Sequence, residues 1–259
     1  MKQQLSIVKI GGNVINSETE LDSFLSDFST FQGLKILVHG GGRKATEIAD
    51  SMGLEPKMIG GRRVTDEANL DVVIMVYAGL LNKNIVAKLQ AKECNALGLS
   101  GADANVISAH KRIVKEIDYG FAGDIDEVEN KTIALLLNGG ITPVFSAITH
   151  DRKGQLLNTN ADTIAAELAK GLSTDFEVEL IYCFEKKGVL KDVEDDESVI
   201  ESINSESYQI LKNKGIINEG MLPKLENCFD SLQNGVKKVI MGNPELIKDR
   251  NKTHTTLTL

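Results

Sequence analysis

Two short hydrophobic runs, Leu5–Ile10 and Leu34–His39, each end directly in glycines: Gly11-Gly12 after the first and Gly40-Gly41-Gly42 after the second. In an open parallel sheet, ligands bind at the carboxyl ends of strands, where loops enter the next helix. Glycine there lets backbone N–H groups approach an anion without a Cβ in the way, and the following helix N-terminus adds a positive dipole end. A single Gly-Gly after a strand is accounted for by a tight turn. Two in equivalent positions point to an anion-binding edge. Neither has the spacing of a P-loop or of a G-x-G-x-x-G dinucleotide fingerprint, which argues against both classes. A third pair, Gly139-Gly140, reads as a helix C-cap.

The rest of the chain repeats this strand-then-helix alternation, which predicts βαβ units and a largely parallel sheet. Strands are expected at Leu5–Ile10, Leu34–His39, Ala96–Leu99, Pro143–Ala147, Glu179–Phe184 and Lys238–Met241. Helices are expected at Glu20–Phe28, Lys44–Met52, Glu67–Lys92, Thr132–Asn138, Asp162–Leu172, Glu206–Lys214 and Leu222–Asn234. The long helix after Thr65-Asp66 is apolar around much of its circumference (Val72 to Tyr77), which predicts burial in a core or against a partner subunit. Val106–Phe121 has no helical period and reads as a β-hairpin or flap.

Composition removes other classes. The net charge of −8 disfavours non-specific nucleic-acid binding. No uninterrupted apolar run of membrane-span length is present, and the N-terminus has no signal-peptide layout, so neither a membrane nor secretion is expected. The odd number of cysteines (Cys94, Cys183, Cys228), without metal-ligand spacing, suggests a reducing compartment and a cytoplasmic protein. No protein-held metal site is expected.

Certain charged residues stand beside these loops. Lys9, at the end of the first strand, is placed to neutralise a transferring phosphoryl group. Lys224 follows Pro223, which suits a first helical turn; read alone, it is an ordinary solvated lysine. Asn158-Thr159-Asn160-Ala161-Asp162 carries more polar side chains than one N-cap requires. Arg62-Arg63 offers guanidinium groups suited to carboxylates. His39 abuts the triple glycine and could brace it.

Taken in order, Val8-Lys9-Ile10-Gly11-Gly12, Val38-His39-Gly40-Gly41-Gly42, Gly61-Arg62-Arg63-Val64-Thr65-Asp66, Ala78 to Lys83, Gly98 to Asp103, Asn158 to Asp162 and Gly220-Met221-Leu222-Pro223-Lys224 resemble the amino-acid kinase family. Arg-Val-Thr-Asp, Asn-x-Asn-Ala-Asp and Gly-Met-x-Pro-Lys are similar to its acylglutamate branch. The resemblance runs from residue 5 to about 225. It implies a three-layer α/β/α sandwich with an open, mainly parallel central sheet. An N-terminal lobe of about residues 1–172 would take the acyl-amino acid, and a C-terminal lobe of about 173–259 the nucleotide. The implied reaction is ATP-dependent phosphorylation of the γ-carboxylate of N-acetyl-L-glutamate or another N-acyl-glutamate such as N-succinyl-L-glutamate, a step of arginine biosynthesis.

By the same resemblance Lys9 and Lys224 are catalytic and Asp162 holds them. Gly41, Gly42, Arg63 and Asn158 would bind the acyl-amino acid; Arg62 has no counterpart in the family and reads either as a solvent-facing substitution or as added charge for an acyl group bearing its own carboxylate. Gly11, Gly12, Glu185, Gly188, Ile216, Ile217 and Asn218 would contact phosphates or nucleotide, with Mg²⁺ arriving on ATP. Glu185 stands where the family has Asp, Arg62 where it has an apolar residue, and the usual glycine-rich ending is missing from Thr253–Leu259. The chain starts at its first strand, without the extra helix of arginine-inhibited members, so an arginine-insensitive homodimer joined through Glu67–Lys92 is expected. The alternatives are a carbamate, glutamate 5-, aspartate or uridylate kinase, or a catalytically silent nucleotide or amino-acid sensor.

Overall fold

The computed structural model describes residues 2–60, 62–217 and 221–259. The elements run β1 (Gln3–Ile10), α1 (Gly12–Asn16), α2 (Glu18–Thr30), β2 (Leu34–His39), α3 (Gly42–Ser51), β3 (Lys57–Ile59), β4 (Arg62–Val64) and α4 (Glu67–Ile74). They continue α5 (Asn82–Gln90), β5 (Ala96–Leu99), β6 (Ile107–Lys111), β7 (Gly123–Val128), α6 (Asn130–Asn138), β8 (Thr142–Phe145), β9 (Ile148–His150), β10 (Leu156–Asn158) and α7 (Ala161–Leu172). Then follow β11 (Phe176–Cys183), β12 (Ser202–Ile203), α8 (Ser205–Asn213), α9 (Leu222–Gln233), β13 (Lys238–Gly242) and β14 (Thr255–Leu257).

The central sheet is eight-stranded, in the order β12-β14-β13-β11-β1-β2-β8-β5. Every neighbouring pair is parallel except β13 with β14. On β1 the successive residues Ile7 and Val8 are both fully buried, as are Ile36 and Leu37 on β2. Adjacent strand residues face opposite sides, so the sheet is covered on both faces, as parallel sheets require. Helix α7 packs against both α6 and α9, and α2 packs on α5. The expected α/β sandwich with a mainly parallel sheet is what forms.

The register of β1 against both β2 and β11 fixes the site. Ile10 pairs with His39 on one side and Cys183 on the other, so these strands end level. The glycine clusters therefore open at one sheet edge. Gly139 caps α6, and Gly140 has φ of +74°, the left-handed backbone a helix stop of this kind uses.

Several elements differ from the sequence reading. Glu67–Gln90 is one continuous rod, but Met75–Leu81 winds as a π-helix between α4 and α5. Apolar periodicity does not register a widened turn, because the rod keeps its buried stripe. By length and composition this rod could cross a membrane; here Val72, Val73, Val76, Ile85 and Leu89 are buried in the core. The flap is larger than expected: β6 pairs with β7 beyond Phe121, and with β9 and β10 they make a second, four-stranded sheet. The strands of the β3–β4 hairpin, the edge strand β12 and its neighbour β14 are three residues or shorter, too short to leave a period.

Candidate active site

At the carboxyl edge of β1 and β2, helices α1, α3 and α7 begin after Gly11, Gly41 and Asn160 respectively. The first turns of α1 and α3 have no side-chain cap, so their N–H groups make this edge electropositive. Asn160 is the N-cap of α7, accepting from the N–H groups of Asp162 (2.7 Å) and Thr163 (3.3 Å). That places Asp162 in the first turn, facing Lys9. Lys9 Nζ lies 2.7 Å from Asp162 Oδ1, and Lys224 Nζ 3.4 Å from Oδ2. Pro223 does sit in the first turn of α9, which carries Lys224 to this point.

Asp162 Oδ1 is buried, and the Lys9 ammonium at 2.7 Å is the cation that balances it. Burial pushes the Asp162 carboxyl up, but the ammonium groups of Lys9 and Lys224 outweigh it and hold it below the usual carboxylate range. The carboxylate stays charged. Lys224 Nζ also lies 5.7 and 5.6 Å from the ring centres of Tyr182 and Phe184, and the Tyr182 hydroxyl donates to the Asp162 carbonyl (3.2 Å). Tyr182 and Phe184 escape a sequence reading because an aromatic in a buried strand looks like core.

A cavity of about 430 Å³ adjoins this bridge. Its lining includes Lys9, Gly12, Gly41, Gly42, Arg63, Asn158 and Asp162. Arg63, only 8% exposed, donates through Nη2 to Gly42 O (2.9 Å) and Thr46 Oγ1 (2.6 Å), while its Nη1 is buried without a partner. A buried, unpaired half of a guanidinium facing a cavity fits a ligand carboxylate. Asn158 donates Nδ2 to Thr65 Oγ1 (2.9 Å), leaving its carbonyl oxygen available. Arg62 lines the same cavity, as do Tyr77, Arg112 and Tyr119, which the sequence did not single out.

The glycine loops are held from beneath. A Cβ on Gly41 would lie 2.4 Å from Leu81 Cδ1 and 2.9 Å from Tyr77 Cδ1, so the π-turn that carries both side chains admits only glycine above it. His39 braces the second loop, with Nδ1 2.8 Å from Gly40 O and Asn82 Nδ2 3.1 Å from Nε2. The first loop needs a correction. Gly11 does not offer a free donor, because its N–H is given to Cys183 O (3.3 Å), extending the β1–β11 ladder. The donors that face an anion there belong to Gly12 and the rest of the first turn of α1.

Of the expected phosphate and nucleotide residues among those described, only Gly12 lines this cavity. Glu185 is exposed and lines a separate cavity of about 700 Å³ with Asn13, Arg43 and Asn243. At Gly188 a Cβ would lie 2.6 Å from Thr255 Oγ1, so this glycine permits close packing of β14. Ile217 is buried in the core, which leaves only its backbone for a ligand, and Ile216 is half-buried beside it. Asn218 lies outside the described residues. Among the described residues no group of three or more His, Cys, Asp or Glu side chains is arranged to hold a metal.

Comparison with known proteins gives four findings. Residues 4–243 match the Amino acid kinase family. The chain is 54% identical over 241 residues to the acetylglutamate kinase of Bacteroides fragilis, covering 93% of this chain and 92% of that one. It is 53% identical over 255 residues to the acetylglutamate kinase of Cytophaga hutchinsonii, covering 97% of each. In fold it is similar to carbamate kinase from Giardia lamblia, with a TM-score of 0.70 at 14% identity over 99% of this chain and 98% of that one.

Proposed function

The chain belongs to the amino acid kinase family, and we propose that it transfers the γ-phosphoryl group of ATP to the γ-carboxylate of an N-acylated L-glutamate, N-acetyl-L-glutamate being the acceptor named by its relatives. The observation that carries this is the Lys9–Asp162–Lys224 bridge, set among helix N-termini beside a cavity with an unpaired guanidinium.

The chemistry explains the residue set. A glutamate γ-carboxylate is ionised at pH 7, with a reference pKa of about 4.3, so the attacking oxygen needs no general base. The new bond joins that oxygen to the γ-phosphorus, the bond to the β-phosphate bridging oxygen breaks, and ADP leaves. The obstacle is repulsion between two anions held close together. Lys9 and Lys224 bring two positive charges against one from Asp162, and the Gly12 and Gly42 helix starts add N–H dipoles. Arg63 would take the α-carboxylate on Nη1, and Asn158 would hold the acyl-amide. Mg²⁺ would arrive on the nucleotide's phosphates, sharing their charge with the lysines.

The 430 Å³ cavity is lined by residues between Lys9 and Thr163, which supports an acyl-amino-acid lobe of about 1–172; Lys224 reaches in from a nucleotide lobe of about 173–259. Met75, Leu80 and Leu97 are exposed apolar residues on the Glu67–Gln90 rod and edge strand β5, which supports a homodimer across that face. Three buried, unpaired cysteines suit a reducing cytoplasm.

A coupled ADP-release assay tests the reading, with N-acetyl-L-glutamate, carbamate, glutamate, aspartate and UMP as acceptors. Turnover on the acylglutamate alone is expected. Preference for any other acceptor would overturn it.

A further inference from the structure

The cavity that holds Arg63 continues past it. Arg62, Arg112 and Tyr119 line it and also line a neighbouring cavity of about 610 Å³, whose other charged or titratable walls are His110, Lys115, Glu116 and Asp124. The shared wall is fixed in place. Thr65 N donates to Tyr119 O (3.0 Å) and Phe121 N to Thr65 O (2.7 Å), tying the β6–β7 loop to the end of β4. Gly120 allows this approach, since a Cβ there would lie 2.1 Å from Thr65 O and its φ is +65°.

The charges along this wall are unevenly committed. Arg112 forks onto Asp124 through Nε at 3.0 and 3.1 Å and lies over the Tyr119 ring, 5.6 Å from its centre. Asp124 is thereby occupied. Arg63 is turned inward to Gly42 and Thr46, with Nη1 left for one carboxylate. Arg62, next on β4, faces the other way, as strand alternation requires. It lines both cavities and has no carboxylate within ion-pair distance among the described residues. An acetyl group is small, neutral and methyl-ended. It uses neither a second cavity nor a second free guanidinium.

We propose that the preferred acyl group ends in its own carboxylate, as in N-succinyl-L-glutamate, and that Arg62 is the residue that selects it. The inference rests on the acylglutamate reading above. The three carboxylates of such a substrate then each have a place: the γ-carboxylate beside Lys9 and the glycine loops, the α-carboxylate on Arg63, and the acyl carboxylate on Arg62 in the shared wall.

The test is kcat/KM for N-succinyl- and N-acetyl-L-glutamate in the wild type, Arg62→Leu and Arg62→Lys, each checked for folding by thermal melting. A charge-assisted contact predicts a succinyl-to-acetyl ratio of about ten or more in the wild type. The ratio should fall at least about tenfold in Arg62→Leu and by less in Arg62→Lys, which keeps the charge but not the fork. The same acetyl preference in wild type and Arg62→Leu overturns the inference and leaves the acylglutamate kinase intact. Turnover of neither acylglutamate by the wild type overturns both.

Discussion

Lys9 Nζ sits 2.7 Å from Asp162 Oδ1, an ion pair between the end of β1 and the first turn of α7. The other carboxylate oxygen holds Lys224, so one acid joins ammonium groups from opposite ends of the chain. Without it the two lysines would repel one another across the space a phosphoryl group must enter. With it they stay close, and the carboxylate can cede them partly when a more highly charged phosphate arrives.

The bridge sets the first prediction. Lys9→Met and Lys224→Met each remove a group that stabilises charge in flight, and each should lower kcat by about 10²–10³-fold. Asp162→Asn should also lower kcat, and in addition lower the melting temperature, because two partly buried ammonium groups lose their common counterion. Steady-state kinetics alongside thermal melting separates the cases. Undiminished kcat in either lysine variant would remove both from the chemistry.

Arg63 makes a second. Its Nη2 is spent on Gly42 O and Thr46 Oγ1, and Nη1 waits unpaired. Lysine carries the charge but not the two-sided geometry. Arg63→Lys should therefore raise KM for the acylglutamate by about 10–100-fold while changing KM for ATP little, since lost ground-state binding appears in KM. An equal rise in both values would mean that the loop, not the carboxylate contact, had been damaged.

The main strands and the glycine edge were legible because each leaves a local mark, a hydrophobic run or a glycine cluster. The Lys9–Asp162–Lys224 set was legible only through the family resemblance, since Lys224 by itself reads as a solvated helix lysine. Asp66, just before the long helix, caps it, its Oδ1 accepting the Asn69 N–H at 2.9 Å. What stayed hidden is non-local. That the Gly11 N–H belongs to Cys183 depends on a strand register formed across the sheet. That Gly188 serves packing depends on Thr255, far along the chain. Tyr77 and Leu81 meet Gly41 only because the rod widens into a π-turn, and no residue there announces it.

That π-turn carries a third prediction. Gly41→Ala puts a methyl within 2.4 Å of Leu81 Cδ1, so either the loop lifts or Leu81 moves. Overpacking of this kind costs about 1–3 kcal/mol, and the lifted loop should lower kcat/KM. Leu81→Ala makes room for the methyl at the expense of a core cavity. In the double variant Gly41→Ala/Leu81→Ala the activity loss should be smaller than the two single losses combined. Simple additivity would show that the two positions do not meet.

The last prediction concerns acid. His39 is fully buried, and burial above all pushes its pKa down to about 4, the Gly40 carbonyl opposing this and the Lys83 charge adding to it. Asn82 can only donate through Nδ2, so Nε2 accepts and the proton is assigned to Nδ1, which donates to Gly40 O. The folded protein thus holds a neutral imidazole while the unfolded chain titrates near 6.5. Between about pH 6.5 and 4 the unfolded state binds the extra proton, so stability is whole above this window and falls as pH drops through it. From pH 7.5 to 5 the loss from His39 should be about 2 kcal/mol. Asp162 has the opposite arrangement, a lowered carboxyl whose contribution is complete above its unfolded value near 3.8 and lost only as pH falls through the folded one, so it does not act in this window. Urea unfolding at pH 7.5 and 5 should show a smaller pH-dependent loss in His39→Gln than in wild type. The same loss in both proteins would assign the acid sensitivity to other groups and leave His39 as packing alone.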